Sequence, residues 1–150
     1  MTTLASQISR TPRIFQSEQA RDAQALFPEV APELSELVAG AGSTSPYLLG
    51  LMQMETDWCA TAFTDPEAAV RTVISRLTEV PADQLAQHLR QAKRRVALMT
   101  GLADLAGAWP LERVTGVLTD FADAACGAAL TSALRTQIKR GKLPGMSEGD

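Results

Sequence analysis

Apolar residues recur three and four positions apart along most of the chain, the spacing that places side chains on one face of an α-helix. The clearest run extends from Leu85 to Ala106, with successive steps of 4, 3, 4, 3, 4 and 3 residues. It predicts a long helix over residues 82–108 whose apolar seam lies nearly parallel to a neighbouring helix. A second pattern predicts another long helix over residues 111–140, and Trp109-Pro110 separates the two.

No stretch of the sequence alternates apolar and polar residues as a half-buried strand does. The predicted fold class is therefore all-α: an elongated helical bundle in which the two long C-terminal helices pack antiparallel. The apolar face predicted for the second long helix comprises Val114, Val117, Leu118, Phe121, Ala125, Ala128, Leu134 and Ile138.

Prolines next to capping residues mark the starts of shorter helices. Ser45-Pro46 predicts a helix to about Phe63, and Pro66, with either Thr64 or Asp65 as the cap, predicts one to about Glu79. An earlier helix is predicted over residues 32–39. The glycine-rich segment 40–45 that follows it is predicted as a loop, because glycine commonly ends a helix.

These patterns divide the chain into three parts. Residues 1–44 are predicted as an N-terminal arm with short helices, and residues 45–140 as the helical bundle. The polar residues 141–150 are predicted as a linker, which begins at Gly141 after two basic residues. Glycine at this position and basic residues just before it are typical of a helix C-terminus.

Composition narrows the class of protein without indicating its function. The chain has 150 residues, 45% of them apolar, which suits one globular domain. Its net charge of −3 argues against a general nucleic-acid binder, which normally carries a basic surplus. There is no secretory signal and no run of about eighteen apolar residues, so we expect a cytoplasmic protein with no membrane partner.

Few side chains offer catalytic or metal chemistry. Cys59 and Cys126 both have apolar helical neighbours and are expected to be buried, reduced thiols; they form no zinc motif. His88 is the only histidine, and Asp120 and Asp123 are spaced like carboxylates on a solvated helix face. We therefore predict no catalytic, cofactor-binding or metal-binding residue in this chain.

The best functional candidate on composition is a cluster of basic residues on the first long helix: Arg90, Lys93, Arg94 and Arg95. Arg90 and Arg94 are four positions apart, so they lie on one helical face and repel each other slightly unless each is paired. Two interpretations remain open. The cluster either pairs with carboxylates of its own domain or faces water, or it forms a docking surface for an acidic partner or a phosphate.

The same helix carries a family resemblance. Leu-Arg-x-x-Lys-Arg-Arg at 89–95, followed by Leu-Ala-Asp-Leu-Ala-Gly at 102–107, resembles the N-terminal half of the bifunctional glutamine synthetase adenylyltransferase/adenylyl-removing enzymes. Residues 117–124, Val-Leu-Thr-Asp-Phe-Ala-Asp-Ala, are similar to the next helix of that family. Ser-Pro-Tyr-Leu at 45–48, with Trp58, resembles an upstream family segment.

The resemblance implies an enzyme with two nucleotidyltransferase-like halves, one removing AMP from a tyrosine of glutamine synthetase and the other adding AMP from ATP. It implies magnesium and ATP as cofactors of the full-length protein. Its implied partners are glutamine synthetase, the rest of its own chain and a PII-type nitrogen-signalling protein. The family's catalytic Ser-Asp-x-Asp motif has no match here, since residues 147–150 lack the paired aspartates. Residues 141–150 would then lead to a nucleotidyltransferase domain absent from this sequence.

Two hypotheses follow. In the first, the chain is an N-terminal helical fragment that supports the deadenylylating half of this enzyme, with the basic cluster facing another domain or the partner enzyme. In the second, it is a free-standing, non-catalytic helical interaction module. The first predicts an apolar surface left uncovered where a catalytic domain would sit.

Overall fold

A computed structural model describes residues 2–143 and Gly145. The described part contains eight α-helices, one short 3₁₀ helix at Arg76–Glu79 and no strand, which confirms the all-α class. The helices are α1 (Leu4–Gln7), α2 (Ser17–Ala25), α3 (Pro32–Thr44), α4 (Pro46–Met54), α5 (Thr56–Ala62), α6 (Pro66–Ser75), α7 (Leu85–Leu105) and α8 (Leu111–Lys139).

Helix α7 lies at the centre of the fold, in contact with α3, α4, α5, α6 and α8. Its predicted apolar seam is buried, apart from Leu89, which is half-buried. Leu98 and Leu102 lie off that seam and are also fully buried, because several helices surround this part of α7. The antiparallel arrangement of α7 and α8 agrees with the prediction, and the turn between them contains Gly107 at φ +63°.

The N-terminal arm closes the C-terminal end of α7. The backbone N–H of Ser9 donates to the carbonyl of Ala106 at 2.9 Å, and Arg10 Nη2 donates to the carbonyl of Asp104 at 2.8 Å. The last carbonyls of a helix lack partners within it and carry partial negative charge, so an arginine and a backbone N–H both suit them. The arm also supplies the fully buried Leu4. The predicted division at residues 44 and 45 stays a prediction.

The predicted loop at residues 40–45 is wrong, because α3 continues to Thr44. Its two glycines are buried inside the helix, where a Cβ on Gly40 would meet the backbone of Pro12 and one on Gly42 would lie 2.7 Å from the Cβ of Ala23. These glycines therefore permit close approach of neighbouring segments and do not end the helix.

The helix predicted from Pro46 to about Phe63 is interrupted. Helix α4 ends at Met54 and α5 begins at Thr56, with Glu55 between them at φ −125° and ψ 30°. The Thr56 hydroxyl donates to the carbonyl of Met52 at 2.8 Å, which satisfies a carbonyl near the end of α4. The break places a carboxylate at the junction of two helices.

Helix α8 has the predicted extent but not the predicted burial. Val117 is its only buried residue within the described chain, with Val114 and Phe121 partly buried against the core. Leu118, Leu130 and Leu134 are 44%, 61% and 41% exposed. Beyond Phe121 no residue of the predicted face is buried: Ala125, Ala128 and Ile138 are half-buried, and Leu134 is exposed, as is Leu130 beside that face.

Helix α8 is also long and apolar enough to cross a membrane by length and composition alone. Its best 18-residue window has a mean hydropathy of 1.2 and is 6% buried. The helix carries Asp120 and Asp123, and a carboxylate in the bilayer interior is costly. This single helix is weak evidence for a membrane span.

The two thiols occupy different environments, which corrects the expectation that both are buried. Cys59 is fully buried in the core and Cys126 is exposed on α8. Burial raises the pKa of the Cys59 thiol to about 12, because the thiolate would lose its hydration.

We therefore expect Cys126 alone to react with a thiol reagent in the folded protein. The thiolate is the reactive form, so Cys59 should stay unreactive even at pH 9, well below its folded-state pKa of about 12. Counting modified thiols with and without denaturant checks this, and Cys126→Ser should abolish the native reaction. Two fast-reacting thiols in the native protein would contradict the placement of Cys59.

Candidate functional site: a buried carboxylate and a groove beside α7

The basic cluster of α7 divides into two pairs. Arg94 and Arg95 turn towards the α4–α5 junction, where both contact the carboxylate of Glu55. Arg94 Nε donates to Oε1 at 2.9 Å and Arg95 Nε donates to Oε2 at 2.7 Å. Arg90 and Lys93 are exposed and have no ion-pair or hydrogen-bond partner among the described residues. Arg90 and Arg94 therefore differ in pairing, and the docking role of the four basic residues stays a prediction.

Glu55 is the buried centre of this arrangement. Its side chain is 3% exposed, against 35% for Arg94 and 26% for Arg95. A buried carboxylate is strongly unfavourable unless it is paired and hydrogen-bonded, and here each oxygen receives one charged N–H. The Glu55–Arg94–Arg95 triad formally carries one net positive charge.

Trp58 fixes the orientation of Arg95. The guanidinium carbon of Arg95 lies 5.3 Å from the centroid of the Trp58 ring, a cation–π distance. Trp58 is half-buried and packs against the hydrophobic core. The guanidinium of Arg95 therefore lies over the Trp58 ring while its Nε donates to Glu55.

A groove of about 740 Å³ lies next to this triad, between α5, α6, the 3₁₀ helix and the first half of α7. Half-buried Ala69, Val73 and Val80 contribute apolar surface to it, above buried Ala62, Leu77 and Ala92. Its polar lining includes Arg95 and His88 from α7 and Arg76 from the 3₁₀ helix. His88 is half-buried, and its Nδ1 lies 3.1 Å from the Gln84 carbonyl, the partner expected of an Nδ1–H donor.

The other sequence candidates lie apart from one another. Asp120 and Asp123 are both exposed on α8. Across residues 2–143 and Gly145, no group of three His, Cys, Asp or Glu side chains is placed to hold a metal ion.

Glu55 was not among the candidate residues predicted from the sequence. The available signal was a pair of carboxylates, Glu55 and Asp57, between Met52 and Cys59, in a segment otherwise rich in apolar residues. That signal gives no indication of the partners, which lie 39 and 40 positions away on another helix.

Comparison with known proteins places the whole site inside one family. The family model for glutamate-ammonia ligase adenylyltransferase matches residues 28–150, which include Glu55, both arginines and the groove. The chain belongs to this adenylyltransferase family. The family predicted from the sequence motifs is confirmed, and the assignment to its N-terminal half stays a prediction.

The curated relatives that the chain matches are named bifunctional glutamine synthetase adenylyltransferase/adenylyl-removing enzymes. The protein of Caulobacter vibrioides is 35% identical over 71% of this chain, and that of Bradyrhizobium diazoefficiens is 32% identical over 76%. The protein of Rhodopseudomonas palustris strain CGA009 is 28% identical over 95% of this chain. The chain spans 11%, 12% and 16% of the length of these three relatives. No solved structure matches the chain.

Proposed function

We propose that this adenylyltransferase-family chain is the N-terminal helical part of an enzyme that adds AMP to glutamine synthetase and removes it, in bacterial nitrogen regulation. Its role would be to support the adenylyl-removing half, while the catalytic motif lies outside these residues. The relatives named for both activities support the proposal, as does the small share of their length that the chain spans.

The uncovered face of α8 is the structural observation that carries this role. Leu130 and Leu134 are four positions apart on one side of the helix and are 61% and 41% exposed. Burying a leucine side chain contributes about 1.5–3 kcal/mol, so a domain packed on this face would be held mainly by apolar contact. An apolar face of this kind is what the fragment hypothesis predicts.

The expected partners follow from the family. Glutamine synthetase and the rest of the enzyme's own chain are the proposed partners, together with a PII-type signalling protein. Magnesium and ATP would serve the full-length enzyme, which we expect to be cytoplasmic. The basic cluster Arg90–Arg95 would then act between domains: Arg94 and Arg95 brace α7 through Glu55, and exposed Arg90 and Lys93 face the neighbour.

A chimera tests the proposal. Residues 1–150 would replace the matching segment of the Rhodopseudomonas palustris relative, which aligns with 95% of this chain. AMP release from adenylylated glutamine synthetase, with phosphate and magnesium, and AMP incorporation from ATP would both be measured. We expect the chimera to keep both activities, and the 150-residue chain alone to release no AMP.

Substitutions on α8 then locate the contact. Leu130→Glu with Leu134→Glu should abolish AMP release by the chimera and spare AMP addition. Thr131→Glu with Arg135→Gln, at exposed positions one step round the helix, changes net charge equally and should change neither activity. Selective loss of AMP addition would show that the wrong half was assigned. No effect on either activity would favour the free-standing interaction module.

A further inference from the structure

Three polar side chains of α7 line one wall of the groove. His88, Gln91 and Arg95 all line it, at successive spacings of three and four residues on one face of the helix. The opposite wall is formed by α5, α6 and the 3₁₀ helix, with Thr61, Thr64 and Thr72 as exposed lining residues. The groove is therefore open to solvent, while half-buried Ala69, Val73 and Val80 supply apolar surface within it.

Arg95 is held in place before any ligand arrives. Its Nε is committed to Glu55 at 2.7 Å and its guanidinium lies over Trp58. Its two terminal nitrogens have no hydrogen-bond partner among the described residues. A guanidinium fixed in this way presents its remaining N–H donors without a further loss of conformational freedom, and such donors match the oxygens of a carboxylate or phosphate.

The charge is positive at the triad itself. One Glu55 carboxylate is shared between two arginines, so the triad keeps a net positive charge in a chain whose total is −3. The rest of the groove is lined by basic Arg76 and by acidic Asp65 and Glu79, so its charged lining residues balance and the donors for an anion are those of Arg95 itself. Asp65 Oδ1 already accepts the N–H of Ala68 at 3.0 Å, as the cap of α6.

We propose that this groove binds a small organic anion. Its carboxylate or phosphate group is held by the terminal nitrogens of Arg95, and its apolar body lies against half-buried Ala69, Val73 and Val80. A volume of about 740 Å³ lies within the range of about 300–1,000 Å³ that small-molecule sites occupy. The site is separate from the α8 face and does not depend on the function proposed above.

Nuclear magnetic resonance of the 150-residue chain tests this directly, because the indole N–H of Trp58 reports on the groove and that of Trp109 serves as an internal reference. The probes are phenyl phosphate, benzoate, inorganic phosphate and benzyl alcohol. We expect phenyl phosphate or benzoate to shift the Trp58 signal saturably, with at least tenfold tighter binding than benzyl alcohol or inorganic phosphate. The stronger of the two aromatic anions identifies the preferred acid group.

Arg95→Lys keeps the charge but loses the planar guanidinium group. It should lower the affinity for the preferred anion about tenfold or more. Arg90→Lys is the matched control on the exposed side of the same helix and should bind like the parent. Ala68→Leu narrows the groove without touching Glu55 or its arginines and should also weaken binding, which covers the case that Arg95→Lys fails to fold.

The proposal is overturned if neither aromatic anion shifts the Trp58 signal, if benzyl alcohol binds equally well, or if the folded groove variants bind like the parent.

Discussion

Replacing Glu55 by Gln should lower the free energy of unfolding by about 2 kcal/mol, measured by urea denaturation. The substitution keeps the shape of the side chain and removes its charge, so Arg94 and Arg95 lose their shared counter-ion. Removing one partner of a fully buried pair costs about 3–5 kcal/mol. The smaller figure applies here because the two arginine side chains are 35% and 26% exposed and keep part of their hydration.

Glu36→Gln is the matched control for this substitution. Glu36 is exposed on α3 and has no ion-pair partner among the described residues, so its substitution should change stability by no more than about 0.5 kcal/mol. If Glu55→Gln were equally mild, the triad would not stabilise the fold. Arg94 and Arg95 would then have to be explained by binding alone.

The fold was largely predictable where the apolar pattern was long. Helix α7 has 21 residues and α8 has 29, so the apolar periodicity predicted the ends of both helices and the turn between them to within a few residues. The periodicity did not predict how deeply each side chain is buried. The fully buried Leu98 depends on how many helices surround α7, and the exposed Leu130 depends on what packs on α8.

The candidate site was predictable only in part, for a similar reason. The arginines were visible as a cluster, but their partner is a carboxylate at a helix junction that sequence reasoning did not place. The segment from Pro46 to about Phe63 was predicted as one helix, so the break that places Glu55 between α4 and α5 was not predicted. The groove needs four elements to be positioned at once, and no short-range pattern encodes that.

The error at residues 40–45 has the same origin and carries a test. Glycine is a poor helix former in isolation, so its presence twice within three residues predicted a loop. In the structure the two glycines lie inside α3. The N-terminal arm and α2 pack so closely against them that a Cβ at either position would clash. Tertiary packing overrides local preference at this point.

Gly40→Ala should therefore destabilise the protein by about 1–2 kcal/mol, although alanine is the better helix former. The new Cβ would meet the carbonyl oxygen of Pro12 and would lie 2.9 Å from its carbonyl carbon, and backbone atoms cannot turn aside as a flexible side chain can. Overpacking of this kind costs roughly 1–3 kcal/mol, partly offset by up to about 1 kcal/mol of helix propensity.

Gly116→Ala makes the same chemical change at a position where we expect stability to rise. Gly116 lies within α8 and an added Cβ would meet nothing within 4 Å, so the substitution should stabilise the protein by roughly 0.5–1 kcal/mol. Urea denaturation of the two variants should thus give shifts of opposite sign. A stabilising Gly40→Ala would mean that the arm around Pro12 does not pack against α3 in solution, and the closure of α7 by Ser9 and Arg10 would come into question with it.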